Sequence, residues 1–187
     1  MPFVSAFEDD AIMAGNGGTL ALEILAQVPD ARTLLIPVSG GGLGAGLVSA
    51  FEARGHAARV VGCQHANSPS FALSLDRGAA VTEMPGIDTL AGGIEGGIGA
   101  QNFAILKGRT DPHVALCTEH DLYRGVAWLL AHHQALVEPS GAVTVAALLA
   151  RRAPLNLEGP VVCVLTGRNL SLPSLRRILN AVPEDDA

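Results

Sequence analysis

Charged residues are scarce in this chain of 187 residues, at 16% of the sequence, and aromatic residues make up only 4%. Hydrophobic residues reach 49% and the mean hydropathy is +0.35. No apolar run approaches the ~20 residues that a membrane-spanning helix needs. The excess of apolar residues therefore indicates a buried parallel sheet, or a surface that meets another domain or subunit.

Basic residues are outnumbered, and the formal net charge of −6 argues against a nucleic-acid partner. The few cysteines, Cys63, Cys117 and Cys163, lie in apolar, strand-like runs. This predicts buried thiols of a reducing compartment, not disulfides or zinc ligands. The first residues carry acidic side chains where a leader would be basic and then apolar, so no signal peptide is expected. We expect a cytoplasmic protein without a metal site or membrane contact.

Strand-like and helix-like segments alternate along the chain. Apolar strand patterns cover residues 34–38, 59–64, 114–117 and 161–165, and helical patterns cover 19–27, 43–54, 69–76, 139–151 and 172–180. A further helix opens at Thr118, with Asp121 completing a capping box. The alternation predicts an α/β fold with a mostly parallel open sheet flanked by helices. Residues 1–180 should form one domain, residues 78–108 a glycine-rich connection, and 181–187 a tail, disordered from Val182.

A glycine-rich turn follows the first strand pattern. Ser39-Gly40-Gly41-Gly42-Leu43 lies between an apolar run and a helical pattern. Consecutive glycines adopt backbone conformations that other residues avoid, so their N–H groups can converge on an anion at the helix N-terminus. This predicts a phosphate site, and the alternative is a plain turn that packs helix on strand. Carboxyl ends of parallel strands share one edge, so Gln64-His65 and residues 166–169 should lie near this turn.

This turn alone does not identify the kind of phosphate compound. Gly40-x-Gly42-x-x-Ala45 formally fits a dinucleotide-binding fingerprint. That fold needs an acidic residue at the end of the next strand, where this chain has Gln64-His65, so a dehydrogenase is disfavoured. A P-loop is excluded because no Gly-Lys-Ser/Thr follows the glycines.

Four segments decide between these interpretations when they are taken together. They are the acidic and glycine-rich run 7–19, the turn Pro37-Val38-Ser39-Gly40-Gly41-Gly42-Leu43, Glu138-Pro139-Ser140-Gly141-Ala142 and Thr166-Gly167-Arg168-Asn169. Their order and spacing resemble the pyridoxal-phosphate enzymes of fold type II, the tryptophan-synthase-β-like fold. Within that family the chain is similar to the serine/threonine dehydratase (threonine ammonia-lyase) and serine racemase branch.

This resemblance implies a set of residues that contact pyridoxal 5′-phosphate: Ser39, Gly40, Gly41, Gly42, Leu43, Glu138, Thr166 and Asn169. The glycines and Leu43 would donate N–H groups to the cofactor phosphate, and Ser39 a hydroxyl. Thr166 would bind the pyridine nitrogen and, being neutral, would leave it largely unprotonated, which suits β-elimination. Glu138 would lie near the ring, and Asn169 would shape the loop. Taken from the residues alone, these three side chains also suit a strand–helix turn and a helix N-terminus.

The family reaction also needs a lysine that bonds covalently to the cofactor, in a Ser-x-Lys segment of an N-terminal small domain. The only lysine here, Lys107, has no such context and is interpreted as a surface residue, so no catalytic residue is assigned. The carboxylates of the branch's cation site are replaced by Gln64-His65 and Ser70, which makes a divalent site doubtful.

The resemblance therefore implies the C-terminal portion of a lyase that converts a hydroxy amino acid to a 2-oxo acid and ammonia, inactive on its own. The alternative is a non-catalytic cofactor-binding or partner subunit that completes a site with another chain. The partners expected are a small amino acid, and either a second copy or a complementing N-terminal half.

Overall fold

The fold is described from a computed structural model that covers residues 4–154 and 156–183. Within that range the chain forms a four-stranded parallel sheet of β1 Thr33–Pro37, β2 Arg59–His65, β3 Ala115–Cys117 and β4 Val161–Cys163, in the order β3-β2-β1-β4. In the register, Thr33 pairs with Arg59 on one side of β1 and with Val161 on the other. The predicted parallel α/β fold is confirmed.

Helices flank this sheet. They are α1 Asp10–Met13, α2 Thr19–Gln27, α3 Gly42–Ala53, α4 Ser70–Arg77, α5 Ala100–Leu106, α6 Glu119–His133, α7 Pro139–Leu149 and α8 Leu172–Ala181. A π-helical turn, Ala14–Gly18, joins α1 to α2, and Gly92–Ile94 forms a short 3₁₀ turn. Among the helices described, none has both the length and the apolar character required to cross a bilayer.

Apolar side chains bury both faces of the sheet. Leu34 and Ile36 of β1 pack in one cluster with residues of α3, whereas Leu35 packs in another with residues of α6 and α7. Alternate strand residues point to opposite faces, so this division follows from the period of two. A sheet covered on both sides explains part of the high apolar content.

Two of the three cysteines are buried, as predicted, and Cys163 is only partly buried. Burial raises the pKa of the Cys117 thiol to about 12 and that of Cys163 to about 11. The pKa of Cys63 is also raised by burial. All three side chains therefore stay protonated thiols at neutral pH.

Helical backbone that the sequence did not predict precedes α2, beginning at Asp10. Asp9 caps it by accepting hydrogen bonds from the N–H groups of Ala11 and Ile12 at 3.0 and 3.1 Å. The helix runs on through the glycines, and Thr19 Oγ1 donates back to the Gly15 carbonyl oxygen at 2.9 Å. The predicted helix over residues 19–27 is confirmed as α2, and the glycines before it continue the helical backbone because they serve a close helix contact.

Two other expectations differ from the structure. The connection at residues 78–108 contains α5, whose Phe103 and Leu106 are buried. The chain does not become disordered at Val182, whose side chain is buried against Ile178 and its neighbours. Residues 184–187 of the predicted tail lie outside the described residues.

Candidate functional site

The glycine turn lies between β1 and α3, at the carboxyl edge of the sheet. Gly41 has φ +88°, a left-handed conformation that residues with a Cβ rarely adopt. A Cβ on Gly41 would lie 2.9 Å from the Cβ of Asn102, and one on Gly40 would lie 2.6 Å from the Phe7 ring. Backbone strain and close packing therefore both require glycine here.

Backbone donors of this turn are left open. None of the hydrogen bonds found among residues 4–154 and 156–183 uses the N–H groups of Gly40, Gly41, Gly42 or Leu43. Gly42 and Leu43 open α3, where the first N–H groups have no partner within the helix. The helix dipole adds partial positive charge at the same place. This arrangement of donors is suited to an anion such as a phosphate group.

A cavity of about 300 Å³ opens over the turn. Seven of the eight residues predicted to contact the cofactor line it: Ser39, Gly40, Gly41, Gly42, Leu43, Glu138 and Thr166. Asn169, the eighth, is exposed and is not among the lining residues. Three of the four segments that the sequence singled out therefore supply these residues to one cavity, whereas Asn169 lies outside its lining.

The geometry of Ser39 and Glu138 adds detail to these expectations. Ser39 Oγ donates to the Glu95 carbonyl oxygen at 2.9 Å, so its proton is already engaged. Glu138 is the N-cap residue of α7, and its carboxylate occupies the space that a Cβ on Gly167 would need. Gly167 thus lets the loop after β4 approach that carboxylate.

Further lining residues were not predicted: Phe7, Pro37, Gly93, Ile94 and Ser140. Ser140 is 4% exposed, and its Oγ accepts a hydrogen bond from the Gly93 N–H at 2.9 Å. This bond fixes residues 92–94 against α7 at the cavity wall. Most of these residues belong to the sequence motifs already recognised, so membership in a motif was the signal that could have identified them.

Gln64 and Ser70, where the resemblance made a divalent site doubtful, form a polar network. Gln64 Oε1 accepts from the N–H groups of Phe71 and Ala72 at 3.0 and 3.1 Å. Gln64 Nε2 donates to the Val38 carbonyl oxygen and to Ser70 Oγ, both at 3.3 Å. The described residues hold no cluster of His, Cys, Asp and Glu with metal-binding geometry.

His65 follows Gln64 and is 2% exposed. Its Nδ1 accepts from the Asn67 N–H at 3.0 Å, so Nε2 carries the proton that it donates to Glu119 Oε2 at 3.0 Å. Burial raises the pKa of Glu119, but hydrogen bonds from Thr89, Leu90 and His65 outweigh it, and the net pKa lies below the ordinary value of 4.5. This cluster joins β2, the 89–90 loop and α6, and it does not line the cavity.

Lys107 lies outside the cavity lining as well. Its Nζ donates to the Gly78 carbonyl oxygen at 3.1 Å and lies 5.7 Å from the centre of the Phe103 ring. Lys107, the only lysine of the sequence, is exposed, which agrees with its interpretation as a surface residue.

Comparison with known proteins adds independent findings. A family model described as "Pyridoxal-phosphate dependent enzyme" matches residues 1–167. L-threonine ammonia-lyase of Geobacter sulfurreducens is 38% identical over 174 residues, which are 92% of this chain and 42% of that protein. Mouse serine racemase is 31% identical over 170 residues, which are 90% of this chain and 50% of that protein.

A solved structure of serine racemase from Dictyostelium discoideum superposes with a TM-score of 0.79 at 25% identity, covering 90% of this chain and 53% of that one. The chain spans about half the length of the curated relatives that it matches.

Proposed function

Because the chain belongs to the family of pyridoxal-phosphate dependent enzymes, we propose that it is the cofactor-phosphate-binding portion of a serine/threonine dehydratase-like lyase of the cytoplasm. The observation that carries the proposal is the set of open N–H groups of residues 40–43 at the floor of the cavity. The similarity to ammonia-lyases and to serine racemase supports the choice of reaction class. The parent reaction would convert a hydroxy amino acid to a 2-oxo acid and ammonia.

The residues present fit this cofactor. The open N–H groups and the α3 dipole match a phosphate dianion, and the cavity of about 300 Å³ is at the small end of the range for small-molecule sites. When bound, pyridoxal phosphate supplies an electron sink for chemistry at an amino-acid α-carbon. Thr166 would offer a neutral hydroxyl to the pyridine nitrogen, and Glu138 would set the polarity beside the ring.

No residue of the cavity lining carries an amine. Lys107 Nζ is bound at the Gly78 carbonyl oxygen, so the chain itself has no side chain placed to bond covalently to the cofactor. We infer that the chain alone binds the cofactor but does not catalyse β-elimination at enzyme rates. Turnover by the purified chain that is lost in Lys107→Ala would contradict this inference.

A second candidate function is a partner subunit that completes its site with another polypeptide, and the free edge of β4 favours it. The Val164 N–H donates to the Leu35 carbonyl oxygen, so alternate residues of β4 face β1. The N–H and C=O groups of Val161, Cys163 and Leu165 therefore face away from the sheet. Val161 and Leu165 are 38% and 41% exposed, and the next residue, Thr166, lines the cavity.

An added strand on this edge would thus lie beside the cofactor cavity. Since the chain spans about half the length of its relatives, the occupant proposed is the complementing N-terminal half. Pairing of two copies of this chain through the same edge is the competing arrangement. The measured mass of the complex would distinguish this homodimer from a complex of the chain with the N-terminal half.

Titration of the purified chain with pyridoxal phosphate, followed by visible circular dichroism, tests the cofactor proposal. We expect a saturable induced signal that Gly41→Asp abolishes. Gly55→Asp is the matched control, because Gly55 has φ +63° and a Cβ there would have no atoms within 4 Å, so it imposes similar backbone strain away from the cavity. Loss of signal in both variants, or no signal from the folded wild-type chain, would contradict cofactor binding by this turn.

A further inference from the structure

Asn102 lies directly behind the glycine turn. It belongs to α5 and is completely buried. Its Nδ2 donates to the carbonyl oxygen of Gly40 at 2.6 Å and to that of Phe7 at 2.7 Å. Its Oδ1 is buried and has no hydrogen-bond partner among the described residues. Because an unpartnered buried oxygen costs stability, the value of this amide lies in the two bonds that it donates.

The Gly40 carbonyl is held from the same side by a second donor. The Gly99 N–H, at the start of α5, donates to it at 3.1 Å. Asn102 and Gly99 are not among the residues that line the cavity, whereas Gly40 and Gly41 are. The two donors therefore hold the Gly40 carbonyl oxygen away from the cavity.

A trans peptide is planar, and its C=O and N–H groups point in opposite directions. With the Gly40 carbonyl turned toward α5, the N–H of Gly41 in the same peptide is turned toward the cavity. Glycines on both sides of this peptide impose little steric preference, because neither has a Cβ. The sequence of the turn alone leaves the reversed orientation open, in which a carbonyl oxygen would face the ligand.

We propose that Asn102 is a positioning residue that orients the Gly40–Gly41 peptide, so that an N–H group and not a carbonyl oxygen faces the cofactor phosphate. Its second bond ties the backbone of Phe7, another lining residue, to the same turn. This inference rests on the proposed function, since it names how the chain builds the phosphate subsite. It predicts a loss that is specific to the phosphate group of the ligand.

The test compares Asn102→Asp and Asn102→Leu with the wild-type chain. Asp keeps the shape but directs oxygen at two carbonyl oxygens, and Leu removes both the donor and the unpartnered oxygen. Asn180→Asp, at an exposed position of α8, is the control for the change in net charge. Far-ultraviolet circular dichroism and thermal unfolding of each variant establish that it is folded.

The dissociation constants of pyridoxal phosphate, of pyridoxal without phosphate and of inorganic phosphate are measured for each protein. We expect Asn102→Asp to weaken both phosphate-bearing ligands by about tenfold or more, as expected for lost hydrogen bonds to a charged group. Asn102→Leu should weaken them less, and pyridoxal binding should be unchanged in both. Equal weakening of pyridoxal and pyridoxal phosphate, or wild-type affinities in a folded Asn102→Asp protein, would overturn the proposal.

A crystal structure of the Asn102→Asp protein gives a readout that needs no ligand. We expect the Gly40 carbonyl oxygen to leave its position against α5, and an unchanged Gly40–Gly41 peptide would refute the role of Asn102. Absence of cofactor binding by the wild-type chain contradicts the proposed function, whereas a retained peptide orientation contradicts this inference, so the two failures are distinguishable.

Discussion

Two adjacent glycines in the first helical segment should respond oppositely to the same substitution. Gly17 is buried where the π-helical turn crosses α3, and a Cβ there would overlap the Leu43 carbonyl oxygen and lie 2.7 Å from the Leu47 nitrogen. Gly18 has helical φ and ψ of −64° and −46°, and the nearest atoms to a Cβ would be 3.9 Å away. Gly17→Ala and Gly18→Ala therefore form a matched pair.

The magnitudes follow from packing and backbone entropy. The atoms that Gly17→Ala would strike are backbone atoms, so the two helices must move apart, and overpacking of this kind costs about 1–3 kcal/mol or more. Gly18→Ala reduces the freedom of the unfolded chain without a clash and should stabilise by about 0.4–1 kcal/mol. We expect the two variants to differ by about 1.4–4 kcal/mol in their free energy of unfolding.

Urea-induced unfolding at equilibrium, followed by far-ultraviolet circular dichroism, measures this difference. Thermal unfolding gives a second measure, since 1 kcal/mol shifts the Tm by about 2–4 °C in a protein of this size. Leu43 is both the residue struck by the new methyl group and a donor of the glycine turn, so Gly17→Ala should also weaken pyridoxal phosphate binding. Equal stabilities for the two variants would refute the argument that the helices cross in contact at Gly17.

Three further changes test the polar network and the sheet edge. The folded-state pKa of Glu119 lies below 4.5, so its ionised form stabilises the fold above pH 4.5, and this stability is lost as the pH falls through the lowered pKa. Glu119→Gln should therefore reduce the loss of stability at acid pH, measured by urea unfolding. An unchanged loss of stability would contradict this role of Glu119. Gln64→Leu leaves buried partners without hydrogen bonds and should lower the free energy of unfolding by about 2–4 kcal/mol in the same assay. An unchanged free energy of unfolding would contradict this expectation. Cys163→Pro removes an outward-facing N–H of β4 together with a partly buried thiol, whereas Val162→Pro removes an N–H that faces β1. The Tm should therefore fall more for Val162→Pro, and equal losses would show that the edge is assigned wrongly.

Much of the fold was predictable because its signals are local. The alternation of Leu34, Leu35 and Ile36 between the two faces of the sheet appears in sequence as a continuous apolar run, and β1 was expected within one residue of its observed start and end. The capping box of Thr118 and Asp121 marked the start of α6, and both of its hydrogen bonds are present. Caps and strand periods require only neighbouring residues.

Contacts between distant segments were not predictable in the same way. Glycine is a poor helix former, so the glycines at residues 15–18 gave no helical signal before α2. These glycines are required by a contact with α3, in which Gly17 packs against Leu43 and Gly46 packs against Met13. Asn102 shows the same limit, since its bond to Gly40 spans 62 positions of sequence, and α5 is too short to show a helical period within a glycine-rich connection.

Phosphate recognition and covalent catalysis place different demands on this chain. The proposed phosphate subsite would use main-chain N–H groups of four consecutive residues, and the packing of β1, α3 and α5 places them. Those elements all lie within this chain, so the subsite can form from it alone. A nucleophilic amine is a single side chain that must enter the cavity from one wall, and the only amine side chain here is held at the Gly78 carbonyl oxygen outside the lining. Affinity for pyridoxal phosphate therefore measures the state of the glycine turn and does not measure turnover.

Adding the complementing half should raise turnover above the background, while the contribution of the phosphate group to the binding affinity should change little. A phosphate contribution that arises only after the complementing half is added would mean that the turn is not organised by this chain.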